Sequence, residues 1–424
     1  MSEPRNLVSS ALVYTFTNAL GAAIPFLMMP LLTRVLAPAD YGRVAMFSVL
    51  VTILGTLTGL NVHGAVGMRY MARDQLDFPR YVASCVVILG VSAVVVTSLV
   101  LVLSRPIESI TSLPRWWLVA AVLVSSGQFV IQLQLVIWQY VKSPWKHGSL
   151  RVAQALLDAG LSVALVLIFG LAWRGRVVGI GVATALAAAF CLAYLLRSPW
   201  IRFPASREYV RDALRFGVPL VPHVIGGMLI ALIDRFLVSS LLDLSSTGVY
   251  MVAVQIGAVL GLATDSFNRA YVPWLLESLS RGGVVKEKRI VRFTYGYFIG
   301  VSITALMMGL VAQSVLGIVV GEKYRSAGPL VSYVCQGFAF GGMYYMLAPY
   351  VFQRGRTASL AAVTLTCGLL NVPICYLLIK SNGLVGAAQS FMIAQAMLFA
   401  GTWILANKSR PMPWLRALLP AESV

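Results

Sequence analysis

Asp265 and Arg269 stand four residues apart in the apolar stretch LGLATDSFNRAYV, so a helix through it carries a carboxylate and a guanidinium on one face. Asp234 and Arg235 are neighbours in GGMLIALIDRFLV. Adjacent helical residues point about 100° apart, so these two are not expected to pair with each other. They would suit an outer gate, one turned to a cavity and the other to a neighbouring helix, or simply a fixed contact between helices. Asp158, one turn after Gln154, could serve a proton relay, since a desolvated carboxylate titrates above its usual range. It could equally be held by Gln154 or by the next helix. Asn61 and His63 close another apolar run, and Gln128, Gln132, Gln134 and Gln139 share a further one. The chemistry on offer is anion binding, hydrogen bonding and proton movement. No nucleophile–base pair stands out. Cys85, Cys191, Cys335, Cys367 and Cys375 all lie in apolar runs with no CxxC pair, and read as small hydrophobes rather than ligands. No metal and no cofactor is expected.

The elements that must position these groups are membrane helices. Of the 424 residues 59% are hydrophobic and only 11% charged, against about 25% charged in soluble domains. Mean hydropathy is +0.83. A crossing helix needs about 20 apolar residues. Twelve such runs are found, near 8–31, 44–66, 81–104, 116–140, 150–172, 177–197, 213–240, 247–272, 293–318, 329–352, 357–379 and 384–406. The first, from Leu7 past Met29, is too long for a cleavable signal peptide. With the amino terminus inside, 22 of the 33 Lys and Arg residues fall in cytoplasmic segments and 9 in outer ones, with Arg235 and Arg269 inside spans. That bias predicts both termini in the cytoplasm. It also accounts for most of the net charge of +18, which lies scattered over short loops and so does not point to nucleic acid.

The segment RSPWIRFPASREYVRD, 197–212, reads as a joint with six spans on either side. The expected organisation is an amino-terminal lobe over 1–200, a cytoplasmic linker over 201–212 and a carboxy-terminal lobe over 213–424. Residues 31–50 and 237–256 align without gaps at an offset of 206, Gly42 opposite Gly248. The predicted fold is therefore an all-α membrane protein, with twelve transmembrane helices in two six-helix lobes about a pseudo-two-fold axis along the membrane normal. Such repeats place a substrate site between the halves. At the same offset His63 falls opposite Arg269. A cationic pair facing a central cavity would hold an anionic headgroup, and Arg matches phosphate oxygens best. The competing reading of Arg269 is an ion pair with Asp265 that snorkels to the interface, and of His63 a hydrogen-bonded packing residue. Pro219 and Pro222 break the start of span seven, and Gly226-Gly227 follow, so that helix is expected to bend as alternating access requires.

With these features in view, PLLTRVLAPADYGRVAMF (30–47) and IDRFLVSSLLDLSSTGVYMVAVQIGAVLGL (233–262) resemble the corresponding turns of Wzx-type polysaccharide flippases. Similar to that family are the Asp-Arg ending span seven, the Gly-x-Tyr opening span eight, Pro273 in AYVPWLLES and GLVGAAQS at 383–390. The family belongs to the multidrug/oligosaccharidyl-lipid/polysaccharide exporter superfamily. The resemblance implies two lobes around a central cavity and alternating access in a bacterial inner membrane. It implies an undecaprenyl-diphosphate-linked oligosaccharide, such as an O-antigen repeat unit of lipopolysaccharide, flipped from the inner to the outer leaflet with possible coupling to an ion gradient. Membrane lipids surround such a protein, and a polysaccharide polymerase and a chain-length regulator are its expected partners. The cationic cavity so implied could be supplied by Arg269, His63, Arg235 and Arg34. Gln128, Gln132 and Asn61 could offer hydrogen bonds to sugar hydroxyls. Asp234, Asp265, Asp158, Pro219 and Pro222 are the candidates for gating or ion coupling.

Two other functions fit a membrane chain. A drug or cation antiporter of the same superfamily would want free carboxylates in its cavity, whereas two of the three carboxylates within spans have Arg close in sequence. A membrane enzyme of polysaccharide assembly would want paired carboxylates on a sizeable polar loop. The outer loops here are short and hold few acids, so a transporter is expected rather than an enzyme.

Overall fold

In hydrocarbon every backbone group must be paired within the chain, so continuously apolar runs should fold as helices. The computed structural model describes residues 4–280, 284–354 and 357–414, and among them no strand occurs. Arg281, Arg356 and Arg416, counted above in cytoplasmic segments, lie outside the described residues. The helices are α1 (Pro4–Val35), α2 (Pro38–Leu57), α3 (His63–Tyr70), α4 (Phe78–Val102), α5 (Ser104–Thr111), α6 (Arg115–Tyr140), α7 (Pro144–Val163) and α8 (Ala172–Arg197). There follow α9 (Arg207–Gly217), α10 (Val221–Leu241), α11 (Leu244–Ser280), α12 (Val284–Val320), α13 (Gly328–Gln353) and α14 (Thr357–Ser409). Among the described residues nine helical stretches are long and apolar enough to cross a membrane. The chain is a multi-pass membrane protein.

Local chemistry sets the boundaries. Pro38 opens α2 and Pro144 opens α7, at positions where the missing N–H costs nothing. Asp77 caps α4, its carboxylate accepting from the Arg80 N–H at 3.3 Å. Within the spans, Thr33, Ser48, Thr97, Thr294 and Thr364 each donate to the carbonyl four residues back, which satisfies their hydroxyls where no water is at hand.

The runs at 357–379 and 384–406, together α14, are two helical stretches that meet at Gly383, where φ is 58°. A φ of that sign suits glycine and ends the first stretch, and the chain folds back there, the Ser390 hydroxyl donating to Asn371 Oδ1 at 2.8 Å. The structure departs from the sequence reading in two places. The run at 44–66 is not one span: α2 stops at Leu57, and the next helix starts at His63. Span seven, read as beginning at 213, begins at Val221. Residues 207–217 form a separate helix, α9, and a 3₁₀ turn at Val218–Leu220 divides the two. Pro219 and Pro222 explain that break.

The chain forms two compact units, one of residues 1–225 with 243–248, the other of 226–242 with 249–424. In the first, α9 is pinned by one of its faces. Arg69 of α3 grips Asp212 through two hydrogen bonds of 2.5 and 2.9 Å, and the Tyr81 hydroxyl of α4 donates to the same carboxylate at 3.0 Å. Gly42 and Gly248, both in this unit, approach each other's chain reciprocally. A Cβ on Gly42 would lie 2.0 Å from the Leu244 carbonyl oxygen, and one on Gly248 2.0 Å from that of Pro38. In the second unit, Gly226 is spent on close packing: a Cβ there would lie 2.8 Å from the Leu365 Cα. Gly226 is thus a contact point of α10 with α14, while the next residue, Gly227, has open space around it. Arg410, just past α14, ties back to Glu287 at 3.3 Å and to the Leu279 carbonyl at 3.2 Å.

Candidate functional site

In the first unit Asn61 and His63 lie where span two is broken. Thr58 ends α2, its N–H still donating to the Leu54 carbonyl at 2.7 Å. Gly59, Leu60 and Asn61 then follow with φ of 76°, 48° and 58°. Three successive left-handed residues, two of them not glycine, store strain that only firm surroundings sustain. Those surroundings are present. The Gly59 N–H donates to the Ser92 hydroxyl of α4 at 2.8 Å, and the Thr58 hydroxyl donates to Ser125 of α6 at 3.2 Å. Gly59 has no room for a side chain, since a Cβ would sit 2.2 Å from the Phe129 ring. The turn delivers Asn61 and His63 side by side, and His63 opens α3 with its ring edge-on to Phe129 at 5.6 Å. Asn61 Nδ2 and His63 Nδ1 are both buried with no hydrogen-bond partner among the described residues. Buried polar atoms are nearly always paired, so two orphans at one strained turn stand out. Gln132, three residues after Phe129 on α6, is half-buried, and Gln128 is exposed. Arg34 closes α1 and is exposed.

In the second unit, Arg269 and Asp265 pair along one face of α11, Nε to Oδ2 at 3.0 Å. The pair is open: the Arg269 side chain is 68% exposed. It therefore keeps donors for a further anion. Tyr345 of α13 lies within electrostatic reach of both. Phe267 lies two residues from each member of the pair and so about 160° round α11. On that other side runs an aromatic stack, Phe267 on Tyr297 at 4.6 Å and on Tyr271 at 6.1 Å, with Trp274 5.7 Å beyond. Asn268 Oδ1 and the Tyr297 hydroxyl are buried without a hydrogen-bond partner among the described residues. Tyr345, Tyr297 and Asn268 are not among the residues singled out from the sequence. The four-residue spacings Phe267–Tyr271 and Phe293–Tyr297 were a legible trace of the stack, but aromatics near span ends usually serve the interface.

The other ionisable groups within spans are occupied. Asp234 and Arg235 do pair, at 3.0 Å, contrary to the expectation from their 100° separation. The reason is reach. The long Arg235 side chain bends back along α10 to the Ala231 carbonyl and to Asp234 Oδ1. The Tyr250 hydroxyl closes the other carboxylate oxygen, and Arg235 Nε meets Met251 Sδ at 3.2 Å. Asp234 is 1% exposed and Arg235 is buried. The Asp-Arg and Gly-x-Tyr segments are thus one bonded unit. Asp158 finds its partner on α8, where Arg176 binds it at 2.5 and 3.2 Å, with Ser162 between them. Arg176 was read as an outer-loop cation, which hid its role. Pro219 and Pro222 are exposed at the helix break.

The family model described as polysaccharide biosynthesis protein matches residues 7–279. Two proteins of Haemophilus influenzae (strain ATCC 51907 / DSM 11121 / KW20 / Rd) are similar over most of their length. "Lsg locus putative protein 1" is 20% identical over 351 residues, 82% of this chain and 84% of that protein. An "Uncharacterized membrane protein" is 21% identical over 370 residues, 84% of this chain and 86% of that one. Among solved structures, the lipid II flippase MurJ in an inward closed conformation has a TM-score of 0.75 at 11% identity, over 94% of this chain and 87% of that one. An inward-facing multidrug resistance MATE family transporter of the MOP superfamily has a TM-score of 0.64 at 15% identity, over 91% and 94%. These likenesses establish the fold.

Proposed function

The chain belongs to the polysaccharide biosynthesis protein family, and on that premise we propose that it is a flippase for a lipid-linked oligosaccharide. It works by alternating access in the bacterial inner membrane, with both termini cytoplasmic and twelve spans in two lobes, 1–200 and 213–424. The cargo is an undecaprenyl-diphosphate-linked repeat unit, moved from the inner to the outer leaflet. A polymerase and a chain-length regulator would take it up there.

The observation that carries this reading is the exposed Arg269, which keeps donors free beyond Asp265 and has Tyr345 within electrostatic reach. A guanidinium in low-dielectric surroundings attracts a diphosphate far more strongly than it would in water. Tyr345, within reach of the pair, meets a sugar hydroxyl. Asn61, His63, Gln128 and Gln132 in the first unit are the corresponding hydrogen-bonding groups. Asp234 and Arg235 are assigned a structural role, and Asp158 with them.

The multidrug transporters of similar fold raise the antiporter reading. Against it, each of the three carboxylates read within spans is paired with an arginine: Asp158 with Arg176, Asp234 with Arg235, Asp265 with Arg269. A cationic drug would have to displace one of them. The same pairing leaves none of these three carboxylates free for glycosyl chemistry.

Deletion of the gene tests the reading. Leaflet-specific labelling should then find the lipid-linked oligosaccharide accumulating on the cytoplasmic face, with surface polysaccharide lost. Normal surface polysaccharide in a strain without a redundant transporter would overturn it. Arg269→Ala should abolish export at normal membrane abundance, and wild-type export in that variant would remove Arg269 from the mechanism.

A further inference from the structure

Helix α9 has two different faces. Tyr209, Asp212, Ala213 and Phe216 hold one against α3 and α4; there the Tyr209 hydroxyl accepts from the Asp77 N–H at 3.0 Å, and Ala213 is fully buried. The other carries Arg207, Arg211 and Arg215, four residues apart and all exposed. Spacing of that kind stacks three guanidinium groups along one line of a helix. Asp212 lies within electrostatic reach of Arg215. Among the described residues no carboxylate pairs with Arg207 or Arg211. Glu208, about 100° round the helix from Arg207, is exposed.

The arginines border a shallow open depression of about 730 Å³, which they share with Val87, Val210 and Val218. It runs on into a second, of about 410 Å³, through the common residues Val87, Val210 and Leu214. This second cavity follows α4 past Val91 and Val95 to Leu99. Its one polar side chain, Ser92, is already committed to the Gly59 N–H and the Leu89 carbonyl. A groove with nothing polar to offer takes hydrocarbon. From Val87 to Leu99 the helix rises roughly 18 Å, close to the ~15 Å of one leaflet's hydrocarbon. The length suits one acyl chain and falls far short of an extended polyprenyl tail.

We propose that α9 and α4 form a binding site for an anionic phospholipid, its phosphate on Arg207, Arg211 and Arg215 and one acyl chain in the groove along α4. Basic clusters on amphipathic helices beside membrane spans bind anionic headgroups in this way. The bound lipid fixes α9 at the membrane surface. The site lies wholly within the first unit and requires only that the chain sits in a bilayer. It stands or falls independently of the oligosaccharide cargo proposed above.

The test is a lipid titration of the purified full-length protein, read by native mass spectrometry with three probes: phosphatidylglycerol, phosphatidylcholine and undecaprenyl phosphate. Phosphatidylglycerol should bind more tightly than phosphatidylcholine by on the order of a hundredfold, three arginines contributing about fivefold each. The triple variant R207Q/R211Q/R215Q should lose that preference. It leaves the Arg69–Asp212 anchor untouched, so its thermal unfolding in detergent should match the wild type. Val91→Trp, which fills the groove, should weaken both phospholipids while the preference between them persists. Equal binding of the two phospholipids, or a preference that survives the triple variant, overturns the site. Tighter binding of undecaprenyl phosphate than of phosphatidylglycerol, abolished by the same variant, overturns the assignment to phospholipid.

Discussion

Arg235 and Arg269 show how one residue type takes opposite parts according to its surroundings. Arg235 is enclosed by Asp234, the Ala231 carbonyl and Met251, and Tyr250 completes the carboxylate. Arg269 shares one carboxylate and stays open. Removing one partner of an enclosed pair leaves a charge buried without compensation, at a cost of about 3–5 kcal/mol. Asp234→Ala should therefore lower the unfolding temperature and the abundance of the protein. Tyr250→Phe, which takes one hydrogen bond from the carboxylate, should cost about 1–3 kcal/mol. Thermal unfolding in detergent ranks the two, and unchanged stability in Asp234→Ala would show the pair to be dispensable. The sequence made these charges conspicuous but could not say which were enclosed. A helical-wheel argument separates Asp234 from Arg235 because it tracks Cβ directions, whereas a guanidinium on a long flexible stem goes where the carboxylate is. Asp158 and Arg176 were hidden for a related reason: their contact is between helices, and neither residue's neighbours in sequence encode it.

At the scale of elements, apolar run length locates helices because hydrocarbon permits little else, and it fails where a few residues override the run. Gly59-Leu60-Asn61 lies within an apolar run, yet it turns left-handed and splits the second span. The punctuation was Gly59 followed by Asn61, residue types tolerant of that conformation. Gly59→Ala would place a methyl against the Phe129 ring and force a residue with a side chain into positive φ. A loss of about 1–3 kcal/mol is expected, with transport falling alongside because Asn61 and His63 ride on the turn. Stability equal to the wild type would mean the turn rearranges freely and does not position them. Helix α9 was read as linker because its charge density obscured its periodicity, and its anchor makes a separate prediction. The Arg69 hydrogen bonds, followed by that from Tyr81, hold the Asp212 carboxyl below its usual range. Such a group contributes fully above the unfolded carboxylate pKa of about 4 and loses its effect as pH falls through the lowered folded value. Hydrogen exchange of α9 should thus show no loss of anchoring between pH 8 and pH 5 once the intrinsic pH dependence of exchange is removed. Asp212→Asn should raise that exchange at pH 7. A variant as protected as the wild type would show that α9 docks without the carboxylate.

At the scale of the whole molecule, orientation is the property on which the proposed direction of transport depends, and it follows from the distribution of Lys and Arg rather than from any contact. Positive loops stay on the cytoplasmic side during insertion, so the basic segments at 69–80, 142–151 and 197–215 should face inward. The five native cysteines are all buried, which leaves a quiet background for thiol labelling. Single cysteines placed at Asp74 and Lys142, both exposed or half-buried between spans, should react with a membrane-impermeant maleimide only in inverted vesicles. Cysteines at Ser112 and Glu322 should react in intact spheroplasts. The reversed pattern would turn the molecule over and, with it, the proposed passage from inner to outer leaflet. A mixed pattern within one unit would break the alternation of spans instead. The reciprocal approach of Gly42 and Gly248 is a contact that does not depend on that outcome. Each glycine admits the other's chain to within a distance no Cβ allows. Either glycine replaced by alanine should therefore disturb the same contact, and the two replacements together should cost less than the sum of each alone.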